Sequence, residues 1–182
     1  MVEYFVRQCG ASAIQAQRRG TLAHSRRKPD DVHLTATADY ALRALAEIAA
    51  VEPKHMTAER IAERQGIPLK YIETILATLK RAGIVNAKRG VDGGFWLAKP
   101  AGRITLAEII RAVEGPLANV RGTRPEQVKY SGAARPLRDV WIAVRINLRS
   151  VLEAVTLAHL VKGKLPPAVT KLTQRSDAWE SH

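Results

Sequence analysis

Five polar side chains, Lys70, Tyr71, Thr74, Thr78 and Arg81, share the outer face of a stretch in which Leu69, Ile72, Ile75, Leu76 and Leu79 recur at helical spacing, and the carboxylate of Glu73 stands in the same stretch. Ammonium, guanidinium, hydroxyl and carboxylate groups set on one rigid face can hydrogen-bond base edges in a major groove. A second cluster follows at Lys88, Arg89 and Gly90, where the glycine-rich run Arg89-Gly90-Val91-Asp92-Gly93-Gly94 begins. Cations on a narrow hairpin are suited to phosphates or to a narrow minor groove, where negative potential is strongest. The plainer alternative is a solvated hairpin with ordinary surface lysines. Glu73 keeps two readings: it accepts from a cytosine amino group or repels phosphates at wrong registers, or it pairs within the helix with Lys70.

Positioning such groups requires two helices crossed at a tight turn. Thr57 is a suitable N-cap for the first, with Glu59 favouring its positive end, and it stands beside the same polyanion as a candidate contact. Gly66 permits a left-handed turn, Ile67 plugs it, and Pro68 takes the first position of a second helix, Pro68 to Arg81. The small Ala62 lets the two helices approach. Ala82-Gly83 ends the second helix, and Ile84 to Lys88 and Phe95 to Ala98 read as the strands of a hairpin around the glycine-rich loop. The pattern is a helix-turn-helix followed by a wing.

The flanking segments read as support. Ala38 to Val51 forms a helix with Ala41, Ala44, Leu45 and Ile48 on one stripe, and Thr105 and Glu108 form a capping box for a helix that Gly115 terminates. Gly115 to Arg135, with its prolines and glycines, reads as a linker. Leu137, Trp141, Val144, Leu148, Val151, Val155 and Ala158 then hold a heptad seam on a helix running to Val161, roughly 37 Å long at 1.5 Å per residue. A helix longer than the domain it leaves calls for a second copy; packing wholly on its own domain is the alternative. Gly163 to His182 reads as a loose tail.

The composition points the same way. A chain of 182 residues with net charge +12 and a pI near 10.3 suits a polyanionic partner. From Arg64 to Arg103 eight Lys or Arg face two acids, Glu73 and Asp92, so the excess is concentrated in the reading segment. Cys9 is the single cysteine, which excludes an internal disulfide and any multi-thiolate zinc or cluster site within one chain, and suits a reducing cytoplasm. No apolar run approaches the roughly 18 to 20 residues of a spanning helix. No HExxH, phosphate loop or ordered Ser-His-Asp set supports an enzyme. Residues 1–31 carry six Arg or Lys without sustained periodicity and read as disordered or marginally helical. They are open to three readings: a basic arm on DNA, an extension upstream of a true start near Val32, which is preferred, and a transit peptide, which Glu3 and the dense Arg18-Arg19 and Arg26-Arg27-Lys28 clusters disfavour.

The opening Asp39-Tyr40-Ala41-Leu42-Arg43-Ala44-Leu45, the helix-turn-helix, the wing Arg89 to Phe95 and the stretch Ile104 to Gly115 with Pro116-Leu117-Ala118 together resemble the Rrf2 family of bacterial transcription regulators, from about His33 to Val161. The resemblance implies homodimeric winged-helix DNA binders, usually repressors, that dimerise through a long C-terminal helix. Several members sense through an iron-sulfur cluster held by three cysteines before that helix, and here Gly115 to Arg138 offers none. Glu126, Tyr130 and His159 are the remaining donors, poorly suited to such chemistry.

The expected molecule is mostly α with a small β wing. A basic extension (1–32) precedes a winged helix-turn-helix domain (33–115), a linker (116–136), a dimerisation helix (137–162) and a tail (163–182). Its expected partners are double-stranded DNA, bound as an imperfect palindrome by a homodimeric repressor in the cytoplasm, and a second copy of itself; no cofactor, metal, membrane or enzymatic activity is expected. Lys70, Tyr71, Glu73, Thr74, Arg81, Lys88, Arg89, Gly90 and Thr57 are the expected DNA contacts; Leu137, Trp141, Val144, Leu148, Val151 and Val155 are the dimerisation residues. Two rival readings are a regulator that binds a small molecule between the linker and the long helix, and a winged module for protein or RNA contact.

Overall fold

Ala38, Ala41, Ala44, Leu45 and Ile48 are all fully buried along one side of helix α1, Ala36–Ala50, in the computed structural model, which describes residues 35–180. The Thr35 hydroxyl accepts the Ala38 amide at 3.2 Å and starts this helix. Four buried alanines, Ala38, Ala41, Ala44 and Ala49, let α1 lie close against its neighbours. The readings of residues 1–31, Cys9 included, fall outside the described residues.

Helix α2, Ala58–Gln65, starts at Thr57 and ends at Gly66, whose φ of 62° is the left-handed turn foreseen for glycine. Helix α3, Leu69–Arg81, buries Ile72, Ile75, Leu76 and Leu79 against α1 and against the helix at Leu106–Glu114. Pro68 is its N-cap rather than its first residue, and Leu69 is exposed rather than inward, because the helix starts one residue later than the sequence suggests.

Strands β1, Val85–Lys88, and β2, Gly94–Leu97, pair antiparallel, with Val85 opposite Leu97 and Lys88 opposite Gly94. Val85 and Leu97 fix the hairpin's base in the core. Met56 adds a third short edge, exchanging bonds of 3.0 and 2.8 Å with Phe95. Helix α4, Leu106–Glu114, is capped by Thr105, which accepts the Glu108 amide at 3.2 Å. The Glu108 carboxylate turns to Lys99 Nζ, at 2.7 and 2.9 Å.

The C-terminal third corrects three expectations. The helix expected to run from Leu137 to Val161 is two helices, α5, Leu137–Ala154, and α6, Leu157–Lys162. Between them Val155 and Thr156 are extended: Leu106 N–H donates to Val155 O at 2.9 Å and Leu157 N–H to Ile104 O at 3.0 Å. Two consecutive β-branched residues yield more readily to this pairing than to a further helical turn. Leu157 thereby enters the domain's main core, and Val155 is buried as well. The expected linker, 116–136, is packed: Pro125 and Val128 are buried, and short 3-10 turns occupy Pro125–Gln127 and Gly132–Ala134. The expected tail forms α7, Pro167–Thr173, which buries Val169 and packs on α5, and a 3-10 turn at Ser176–Trp179 follows. No described helix is long and apolar enough to cross a membrane.

Candidate nucleic-acid interface

The face of α3 opposite its buried stripe carries Lys70, Tyr71, Glu73, Thr74 and Arg81, all exposed, as the apolar spacing requires. Thr74 donates its hydroxyl proton back to Lys70 O at 2.9 Å, and Thr78 does the same to Thr74 O at 3.1 Å. Each hydroxyl oxygen keeps accepting capacity: Thr78 takes Arg81 Nη2 at 3.1 Å, which steadies that guanidinium at the helix end. Glu73 takes part in none of the described ion pairs, so its pairing with Lys70 is not formed. Tyr71 is 61 % exposed and stands edge-on to Tyr40, with ring centroids 6.3 Å apart.

A polar clamp from α1 holds the turn between α2 and α3. Arg43 donates Nε to Gln65 Oε1 at 2.8 Å and a second N–H to the Gln65 carbonyl; Gln65 Nε2 donates to Glu47 Oε1 at 2.5 Å; Glu47 also pairs with Arg64 at 2.9 Å. Arg43 lies over Tyr40 as well, 5.8 Å from its ring. Sequence reasoning missed this clamp. Its one signal was the spacing of Arg43 and Glu47, four apart on the polar margin of an alanine-rich helix.

In the wing, Lys88, Arg89 and Gly90 are exposed and Val91 stands fully free at the tip. A Cβ on Gly93 would lie 2.4 Å from Lys88 O and 2.7 Å from Gly90 O, so only glycine closes this turn. Gly94, at φ 144°, lies against the Met56 backbone. The wing is fastened by His55, stacked on Trp96 at 4.4 Å and 21°, with Nδ1 3.4 Å from Asp92 O. Neither His55 nor Trp96 was singled out from the sequence. Thr57, the remaining candidate contact, is exposed, but its hydroxyl already accepts the Arg60 amide at 3.4 Å.

Of the six dimerisation candidates, Val155 is buried in its own domain and is withdrawn. Trp141 is half-buried, its indole N–H donating to Tyr130 Oη at 3.0 Å. Leu148 and Val151 are half-buried, and Leu137 and Val144 are exposed, with Val140 and Ile146 adding to the uncovered apolar surface of α5 at 48 % and 58 % exposure.

The Rrf2 family model, described as an iron-dependent transcriptional regulator, matches residues 34–163. An HTH-type transcriptional regulator of Mycobacterium tuberculosis is 38% identical over 151 residues, covering 82% of this chain and 94% of the relative. Among solved structures, CymR, the global cysteine regulator of B. subtilis, superposes with a TM-score of 0.63 at 27% identity, covering 74% of this chain and 99% of that one. IscR of T. potens gives 0.60 at 28% identity, covering 72% and 88%.

The residues here do not fit an iron-sulfur cluster. Residues 116–138 contain no thiolate donor, and the three oxygen or nitrogen donors are already engaged. Glu126 holds Arg145 at 2.5 Å, Tyr130 accepts from Trp141, and His159 Nδ1 accepts the Thr156 amide at 3.1 Å. The described residues hold no group of three or more His, Cys, Asp or Glu arranged for a metal.

Proposed function

The chain belongs to the Rrf2 family and is a DNA-binding transcription regulator of winged-helix fold, and from that premise we propose that it is a homodimeric repressor of an imperfect palindrome. The observation that carries the reading is the division of α3: four apolar residues sunk in the core and Lys70, Tyr71, Glu73, Thr74 and Arg81 left to solvent. A helix so divided is rigid where it must be and polar where bases are read. Lys88, Arg89 and Gly90 meet phosphates or the minor groove, and Thr57 meets phosphate near the start of α2. One α3 reaches only a few base pairs, so two heads act together, joined through the apolar face of α5. Half-site centres then stand about 10 base pairs, or a multiple of it, apart. The regulator works in the cytoplasm and has no catalytic step.

The test is selection of bound fragments from the source genome, followed by measurement on full sites, isolated half-sites and random duplex across a salt series. Enrichment of a two-fold-related motif, bound far more tightly whole than halved, is the expected result. Equal affinity for random duplex sinks it. A second reading, regulation by a small molecule held between residues 116–135 and α5, is favoured by an arginine-lined cavity at that place.

A further inference from the structure

A cavity of about 380 Å³ opens between the end of α4, the packed segment after it and α5. Its volume falls in the range of small-ligand sites. Four guanidiniums line it, Arg111, Arg124, Arg145 and Arg149, with one carboxylate, Glu126, and Leu117 on an apolar side. Arg145 pairs with Glu126 at 2.5 Å, and Arg111 and Arg149 converge on Glu153 at 2.5 and 3.0 Å. Four cations against two carboxylates leave two positive charges uncompensated.

Two details mark the wall as built for an occupant. Arg145 Nε is buried without a hydrogen-bond partner, a donor whose desolvation is repaid by nothing in the described chain. Arg124 takes part in none of the described ion pairs. It follows directly on a tight turn in which Arg121 and Gly122 both adopt positive φ, 52° and 77°, while Val120 and Thr123 exchange bonds of 2.9 and 3.0 Å. Arginine forks match the planar or tetrahedral oxygens of carboxylate, phosphate and sulfate, often two bonds at a time.

We propose that this cavity is the effector site for a small organic dianion, its oxygens held by Arg124 and Arg145 and its body against Leu117. The proposal deepens the small-molecule reading above and rests on it for the link to DNA. Because the cavity joins α4 of the winged domain to α5, an occupant that prefers one arrangement of these two helices alters operator affinity.

Trp141 lies one helical turn from Arg145 on α5, so the part of the tryptophan emission that is lost in Trp141→Phe serves as the reporter of occupancy. The full chain is titrated with inorganic sulfate, inorganic phosphate and succinate, each against chloride at constant ionic strength. Saturable binding of at least one is expected, weakened about tenfold or more in Arg124→Gln and strengthened in Glu126→Gln, which releases Arg145. The preferred probe tells phosphoryl or sulfuryl ligands from dicarboxylates. A response equal to chloride, or one unchanged by both variants, overturns the proposal. Operator binding is then measured with and without the preferred probe. An unaltered affinity removes the effector role, and a fall in operator affinity and salt slope in Arg124→Gln without probe assigns the guanidiniums to DNA phosphate instead. Failure of the wild type to prefer any duplex sequence overturns the regulator reading alone, since the anion titration needs no DNA.

Discussion

The imidazole of His55 stacks on the indole of Trp96 at 4.4 Å, so the loop before α2 and the second strand of the wing are joined by side chains as well as by the Met56–Phe95 backbone pair. The wing's position relative to the helix-turn-helix therefore depends on a residue outside both. His55→Ala is expected to leave the domain folded, because the core beneath is intact, and to lower affinity for specific and random duplex together. Gly93→Ala should do the same more severely, since its Cβ meets Lys88 O at 2.4 Å and the turn must open. Anisotropy titrations on both duplexes, with thermal melts as the folding control, check this; loss of sequence preference alone from either variant contradicts it.

Arg89→Ala and Lys70→Ala should separate positioning from reading. An exposed wing cation held against phosphate weakens many sites alike and reduces the salt slope by about one. A group on α3 that meets a base edge costs roughly 1 to 3 kcal/mol, mainly at its own base pair. Affinities across single-base variants of the operator decide the matter, and a uniform loss from both demotes Lys70 to a backbone contact.

Arg43→Ala removes the clamp on the helix-helix turn without touching α3. It leaves the Gln65 side chain and carbonyl without that donor, a cost of about 1 to 2 kcal/mol of stability. Operator affinity should fall by more than the melting temperature alone explains, because the angle at Gly66 sets the presentation of Lys70 to Arg81. If binding at a temperature far below the melt is unchanged, the clamp serves folding only.

Much of this was legible beforehand, for a physical reason: α3 and its flanking turn are set by local rules, helical spacing and a glycine at φ 62°, which leave marks in adjacent residues. The wing was legible on the same grounds, through Gly93 and Gly94. What escaped notice depends on contacts distant in sequence. Val155 and Ala158 continue a heptad perfectly well by spacing, and only the backbone of Ile104 to Leu106, some fifty residues earlier, draws Val155 and Thr156 out of the helix. The clamp from Arg43 to Gln65 and the cavity arginines, drawn from three segments, are of the same kind.

Acid should loosen the junction of α4 and α5. Hydrogen bonds from Arg111 and then Arg149 hold the Glu153 carboxyl below its ordinary value of 4.5. A carboxylate depressed in the folded state stabilises it above that ordinary value, and the contribution is lost as pH falls through the folded value. The melting-temperature difference between wild type and Glu153→Gln should thus be largest near neutral pH, shrink once pH falls below the ordinary carboxylate value of 4.5, and be lost as pH passes the lowered folded value. A difference that persists unchanged into acid would place the effect in packing rather than charge.

The break at Val155 divides the old heptad into two parts with different duties, and variants should tell them apart. Leu148 and Val151 remain on α5, half-buried, beside the exposed Val140 and Val144. Val155 is 3 % exposed, its carbonyl held by the Leu106 amide at 2.9 Å. Replacing Leu148 and Val151 with Glu sets like charges on the apolar face at two facing helices, so monomers with a near-native melt and no tight operator binding are expected. Val155→Ala takes two methyl groups from the core and should cost about 1 to 3 kcal/mol of stability, with the dimer retained at temperatures below the melt. Sedimentation velocity and thermal melts on both variants give the four numbers needed. A double mutant that stays dimeric removes α5 from the interface, and a Val155→Ala protein that is fully stable yet monomeric returns Val155 to it.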